Sequence, residues 1–212
     1  MRSVLSSLDV IKIIDSMCDT IEREKSYLSE LDGAIGDGDH GVNMAKCFRE
    51  VKKKLPENAD KDVGTIFKNI GMVILNSVGG AMGALYGTLF LKASKEVTAE
   101  MEIGLDDLIR MFEAAEKGIQ DMGKAQRGDK TLIDTIDPAV EALKAARAKG
   151  KSLMEALSDF SEAAKKGAES TRDMISKIGR SSRLGERTIG HQDAGATSCY
   201  FILRSFHDGI KA

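Results

Sequence analysis

The chain has 212 residues, 42% of them hydrophobic and 30% charged, and its 31 basic and 33 acidic side chains leave a formal net charge of -2. That balance suits a globular protein with its own core, and it excludes the basic field of a nucleic-acid binder and the polybasic patch of a membrane-surface protein. No apolar run approaches the roughly 18 residues a membrane span needs, and the N-terminal stretch MRSVLSSLDVIKIIDSM is broken by Asp9, Lys12 and Asp15 where a secretory signal would stay apolar, so a cytoplasmic protein is expected.

Two prolines, seven Phe, three Tyr and no Trp argue against a strand-rich fold. Helical periodicity runs nearly end to end. The first predicted helix covers about Leu8–Leu31, with Val10, Ile14, Met17, Ile21 and Leu28 on one stripe. The second runs from Gly41 to Leu55 and is stopped by Pro56. The third begins near Lys61 and turns Val63, Ile66, Phe67, Ile70 and Ile74 inward. The fourth follows Gly79-Gly80 through Leu85, Leu89 and Phe90. The fifth spans about Leu105–Met122. The sixth starts near Thr131 with a kink expected at Pro138. The seventh spans Ser152–Ile175, and the eighth runs from about Ala196 to Ile210. Short connections make sequential neighbours antiparallel. The expectation is an all-α, eight-helix, up-down bundle forming a single domain over residues 1–212. Cys18, Cys47 and Cys199 are widely spaced, lack any CxxC pairing and sit among apolar residues, which reads as small core side chains.

Three segments carry chemistry. The first is Leu31-Asp32-Gly33-Ala34-Ile35-Gly36-Asp37-Gly38-Asp39-His40-Gly41, three aspartates among glycines between two amphipathic helices. Carboxylates about 5 Å apart repel by a few kcal/mol per pair at an effective dielectric near 20. A divalent cation relieves that repulsion, and hard oxygen ligands select Mg²⁺ or Ca²⁺. An EF-hand is excluded: counted from Asp37, its glycine position is Val42 and its bidentate glutamate position is Phe48. The alternative is a solvated connector whose aspartates cap helices.

His40, Gly41 and Asn43 then open a helix whose N-terminal amides suit a phosphate. The second segment, Gly79-Gly80-Ala81-Met82-Gly83, starts another helix, although glycines serve close helix packing equally well. Neither matches GxxxxGK[ST], and no GxGxxG follows a strand, so a nucleotide here would be bound outside the P-loop and Rossmann solutions. The third segment, Gly179 to Gly195, is too long and polar for a simple connection. Its Arg180, Arg183 and Arg187 suit a phosphate clamp or a solvated charged loop, and His191 suits a base or a residue that orients the loop. His207, on the last helix, has no partner in sequence and reads as structural or exposed.

Taken in order, LDGAIGDGDHGVNM, SVGGAMGALYGTLF, GKAQRGDKTLIDTIDPAV and GRSSRLGERTIGHQDAGATS resemble the four signature blocks of the DhaL-type nucleotide-binding subunits of dihydroxyacetone kinases, and the resemblance covers essentially the whole chain. It implies an eight-helix antiparallel barrel with the nucleotide, ADP or ATP, at one end. It implies two Mg²⁺ ions on three aspartates that match Asp32, Asp37 and Asp39. Nucleotide contacts match His40, Gly41, Val42 and Asn43, then Ala81 and Met82, Gly123 and Leu132, Arg180, and finally Asp193, Ala194 and Gly195, with Arg180 the expected catalytic charge. It implies two partners as well. One is a separate subunit that binds dihydroxyacetone. The other, in the phosphoenolpyruvate-dependent branch, is a phosphotransferase-system protein that recharges bound ADP. The chain carries no substrate domain, which favours the standalone subunit over the fused, ATP-dependent form.

The match departs from the family pattern at Met82, usually a small hydroxyl residue, at Ser182-Arg183 for a common Ser-Tyr, and at Ala194 for a common Pro. These departures bear on acceptor identity and nucleotide retention more than on fold or metal site. Competing readings are an ATP-dependent kinase subunit for a related acceptor, a Mg-dependent phosphohydrolase on the same aspartates, and a non-catalytic helical binding module.

Overall fold

The computed structural model describes residues 3–211, so Met1 and Arg2 of the N-terminal stretch and Ala212 lie outside it. Among the described residues the helices are α1 (Ser7–Arg23), α2 (Lys25–Ile35), α3 (His40–Lys54), α4 (Val63–Ser77), α5 (Gly80–Lys95), α6 (Leu105–Gly123), α7 (Ile133–Ala148), α8 (Leu153–Ser170) and α9 (Ala194–Asp208). Short 3-10 turns occupy Leu55–Asn58, Thr171–Asp173 and Ser181–Thr188. Local chemistry sets several starts. Ser6 and Asp9 form a reciprocal capping box at α1, as do Ser152 and Glu155 at α8, while Asp62 and Asp193 cap α4 and α9 through the amides of Thr65 and Ala196.

From α3 onward each helix packs on the next, α1 packs on α3, and α9 returns to α1, closing the all-α bundle into a ring. Its interior holds a run of touching aromatics, Phe67, Phe90, Phe112, Phe160 and Phe206, with neighbouring centroids 4.7 to 6.4 Å apart. The three cysteines are free and buried. Burial pushes the Cys18 and Cys47 thiols up to about 12, which makes them inert packing groups.

Three details differ from the periodicity. The first expected helix is two, bent at Glu24, whose ψ of 4° leaves the helical region. The ladder is not severed there, because the Glu24 amide still bonds Thr20 O and the Leu28 amide bonds Glu24 O, each at 2.9 Å. The bend swings α2 off the axis of α1 and onto α3 and α9. The seventh expected helix stops at Ser170, where the chain tightens into the 3-10 turn Thr171–Asp173, closed by the Met174 amide on Thr171 O at 3.2 Å, and the Lys130 ammonium also donates to the Thr171 and Met174 carbonyls. A two-residue antiparallel pair, β1 (Leu5–Ser6) with β2 (Glu102–Ile103), is too short to show a period of two. Pro138 stays inside α7 and leaves the Asp134 carbonyl without its helical donor. There α8 comes close through Gly167, where a Cβ would lie 2.2 Å from that carbonyl oxygen.

In an up-down ring, alternate connections share an end. Segments 36–39, 78–79, 124–132 and 171–193 therefore meet at one end, and the β1–β2 pair ties down the other. No helix among the described residues is long and apolar enough to cross a membrane.

Candidate functional site

The α2–α3 turn gathers its carboxylates tightly: Asp32, Asp37 and Asp39 each offer an oxygen within 4.8 Å of the others. Glycine makes this possible at Gly36, where a Cβ would sit 2.2 Å from Asp32 Oδ1, and at Gly38, which holds φ at +77°. Asp32 is also anchored, its Oδ2 accepting the His40 amide at 3.2 Å. The donor set is all hard oxygen, mutually repelling, and open to solvent on the Asp37 and Asp39 side, which fits a hydrated hard cation such as Mg²⁺.

A cavity of about 450 Å³ opens beside this cluster. Asp32 and His40 line one edge, the start of α5 at Ala81 and Met82 the next, then Gly123 and Leu132 from the α6–α7 segment, and Arg180, Asp193, Ala194 and Gly195 close the circuit. Leu85, Ile119, Met122 and Ile178 add apolar walls. At Gly79 and Gly80 a Cβ would meet nothing within 4 Å, so a ligand can approach the backbone at the start of α5. Carboxylates and helix amides at one edge of an apolar slot suit a phosphate-bearing molecule with a flat base.

His40 is held from behind. Its Nε2 lies 2.9 Å from Ser198 Oγ, which lies 2.6 Å from the buried Tyr86 hydroxyl. Burial pulls the His40 imidazole below its ordinary pKa, against the opposing pull of Asp32 and Asp39. Burial also raises the Asp193 carboxyl to about 6, although the Ala196 amide donates to it at 2.7 Å.

The 171–193 segment reaches the cavity through Arg180, whose guanidinium pairs with Asp37. Arg183 and Arg187 point to solvent, and His191 is exposed and contributes its carbonyl. His207 is half-buried against Asp208. Lys130 is the surprise: only 1% exposed, it donates to the carbonyls of Thr171 at 2.5 Å, Met174 at 3.2 Å and His191 at 2.5 Å. Asp134, also buried, shapes the same corner by accepting the amides of Gly128 at 2.5 Å and Thr131 at 2.8 Å.

Thus Asp32, His40, Ala81, Met82, Gly123, Leu132, Arg180, Asp193, Ala194 and Gly195 line one cavity. Asp37 and Asp39 join it through the carboxylate cluster. Gly41, Val42 and Asn43 are not part of its lining. Gly41 is buried where α3 crosses α2, with room for no Cβ, while Val42 is 48% exposed. Sequence reading passed over Tyr86, Ser198, Lys130 and Asp134. A threonine-flanked lysine or a serine in an apolar helix carries no local signal, because their partners lie 41 to 158 residues away.

The DAK2 domain family matches residues 34–208. The chain is 44% identical over 200 residues to the ADP-binding subunit DhaL of the PEP-dependent dihydroxyacetone kinase of Escherichia coli (strain K12), covering 94% of this chain and 95% of that protein. It is 37% identical over 185 residues to the ADP-binding subunit DhaL of the PTS-dependent dihydroxyacetone kinase of Lactococcus lactis, covering 87% and 88%. Among solved structures it resembles the dihydroxyacetone kinase of C. freundii in complex with AMP-PNP and Mg²⁺, with a TM-score of 0.70 and 24% identity. That alignment covers 98% of this chain and 35% of the other, so this chain spans about a third of that kinase, and the likeness bears on the fold.

Proposed function

This chain belongs to the DAK2 domain family, and from that premise we infer that it is the ADP-binding subunit of a dihydroxyacetone kinase of the phosphoenolpyruvate- and phosphotransferase-system-dependent kind. The observation that carries the reading is the three-carboxylate cluster set at the mouth of a cavity that is otherwise largely apolar.

In this reading Asp32, Asp37 and Asp39 hold Mg²⁺, two ions in all, against the phosphates of ADP or ATP. The bound Mg-nucleotide supplies the phosphoryl group, with the cation offsetting the charge that develops on it. The residues of the chain bind and orient. His40, at the start of α3, lines the cavity beside the cluster, where the positive end of the helix dipole favours a phosphate. Asp32, fixed by the His40 amide, presents one carboxylate in a set orientation. Met82 has no hydroxyl, so its part in phosphate binding falls to its backbone at the start of α5. Leu85, Met122, Leu132 and Ile178 exclude water from around the base. Arg180 brings an exposed cation to the mouth of the site, where charge changes during transfer. The acceptor is dihydroxyacetone held by a separate subunit, the phosphoryl donor is a phosphotransferase-system protein, and the setting is cytoplasmic.

The test is reconstitution. The purified chain, the dihydroxyacetone-binding subunit and the phosphotransferase-system proteins should phosphorylate dihydroxyacetone from phosphoenolpyruvate, with ADP found on the protein by mass spectrometry. Free phosphate released from ATP without any partner would instead make it a phosphohydrolase. Failure to bind Mg-ADP would make it a binding module of another kind.

A further inference from the structure

A lysine lining a nucleotide cavity is by default a phosphate ligand. Lys130 is placed otherwise. An ammonium has three N–H donors, and the three carbonyls of Thr171, Met174 and His191 take all of them within 3.2 Å, in a pocket that leaves the side chain 1% exposed. Two of these carbonyls lie just after the end of α8, where the helix dipole is negative, which helps keep a buried cation charged. The residue also holds φ at +62°, a left-handed conformation that a lysine adopts only when its surroundings require it.

The three carbonyls are not random neighbours. Thr171 and Met174 stand at the entry of the segment that carries Arg180, and His191 stands at its exit. One charge thus ties both feet of that segment to each other and to the α6–α7 connection. Other bonds join the same parts pairwise: Asp193 N to Thr171 Oγ1 at 3.0 Å, Ser176 N to Thr188 Oγ1 at 3.0 Å, Gly190 N to Arg172 O at 2.8 Å and Lys177 N to Asp129 O at 3.2 Å, with Lys177 Nζ 3.3 Å from Asp129 Oδ1. Lys130, by contrast, joins both feet and the α6–α7 connection through one group. Between the feet, the exposed Arg180 pairs with Asp37. A compact tetrahedral ammonium suits a cage of three converging carbonyls, where a planar guanidinium does not.

We propose that Lys130 is a positioning residue for Arg180: it clasps the two feet of the 175–190 segment so that the guanidinium stands over the carboxylate cluster, and it acts on phosphoryl transfer without touching the nucleotide. The proposal rests on the function proposed above for its last step alone.

Lys130→Met and Lys130→Gln test it, the second keeping N–H donors without the charge. Trypsin reads the clasp directly, because Lys177, Arg180, Arg183 and Arg187 all lie between the feet. Cleavage there should speed up at least tenfold at a temperature where circular dichroism shows the bundle folded. Turnover in the reconstituted kinase should fall at least tenfold while Mg-ADP affinity stays within about threefold. Combined with Arg180→Ala, either substitution should slow transfer no further than Arg180→Ala does alone. Unchanged cleavage, a tenfold loss of Mg-ADP affinity, losses that multiply in the double variant, or failure of both single variants to fold would each overturn the proposal. If Arg180→Ala itself leaves transfer intact, the role given to Arg180 under the proposed function fails, and the protease result alone then decides the clasp.

Discussion

Arg180 and Asp37, 143 residues apart, meet as an ion pair at the mouth of the cavity. Both side chains are largely solvated, at 66% and 43% exposure, so the pair itself adds little stability. Its interest is in competition. The carboxylate oxygen that receives the guanidinium belongs to the same three-aspartate cluster that is suited to a cation. A cation on Asp37 and a guanidinium on Asp37 draw on one charge, so occupancy of the cluster and the position of Arg180 are linked.

The aspartates can be told apart by neutral substitution. Asp37→Asn and Asp39→Asn each remove one negative oxygen and should weaken Mg-ADP at least tenfold, about 1.4 kcal/mol. Asp32→Asn should do more damage, because Asp32 also accepts the His40 amide and so fixes the start of α3. Titration calorimetry with Mg-ADP, repeated with EDTA, is the measurement. Equal affinity in wild type and both exposed-site variants would reduce the turn to a connector.

Two glycines should behave oppositely. At Gly41 a Cβ would stand 2.0 Å from the Lys25 carbonyl and 2.7 Å from Ser29 Oγ, so Gly41→Ala must push α3 off α2. Overpacking of this kind costs about 1–3 kcal/mol. At Gly79 a Cβ meets nothing within 4 Å and φ is -78°, so Gly79→Ala should leave the melting temperature of the ligand-free protein nearly unchanged. If a phosphate approaches the backbone there, Gly79→Ala should lower Mg-ADP affinity alone. A Gly41→Ala protein that melts like wild type would refute the packing account of Gly41.

The Asp193 carboxyl gives a pH signature. Its pKa stands at about 6 in the folded chain, against an ordinary value of 3.8, because burial disfavours the charge. The folded state therefore holds this proton more tightly than the unfolded chain does. The stability this confers is complete below about pH 4 and is lost as pH rises through 6, by up to about 3 kcal/mol. Asp193→Asn keeps a good cap for α9 and removes the titration. Relative to wild type, the variant should gain stability between pH 4.5 and 7.5 in urea unfolding. Parallel pH profiles for the two proteins would show that Asp193 is not the group responsible.

The bundle was legible because each helix carries its own apolar stripe: Val63, Ile66, Phe67, Ile70 and Ile74 announce α4 without help from elsewhere. The Asp32–Asp39 turn was legible for a similar reason, since clustered carboxylates and glycines are a local anomaly. What sequence could not reveal depends on distant partners. Glu24 has an ordinary helix-forming side chain, and the bend there serves contacts of α2 with α3 and α9. Gly41 stands in a helix start suited to a phosphate, and what the sequence does not carry is that its Cα also packs against the Lys25 carbonyl across the fold. Ser198 and Tyr86 look like core residues of α9 and α5 until the ring closes and places both behind His40.

The last expectation separates transfer from binding. Arg180 sits on a segment pinned at its feet but exposed at its middle, and its partner in the free protein is Asp37. If its charge acts mainly on the transition state, Arg180→Ala should lower turnover of the reconstituted kinase roughly a hundredfold. Mg-ADP affinity should stay within a few-fold of wild type, or rise slightly, because the substitution also removes a competitor for the Asp37 carboxylate. Lys at this position should restore only part of the rate, since an ammonium cannot span two phosphate oxygens as a planar guanidinium does. Transfer to dihydroxyacetone with saturating partner subunits decides the matter, measured beside Mg-ADP calorimetry on the same preparations. Wild-type turnover in the alanine variant would make Arg180 a solvated surface charge and leave the aspartate cluster to stand by itself. A parallel loss of affinity and turnover would make it a ground-state phosphate ligand, with no special role in the transfer step.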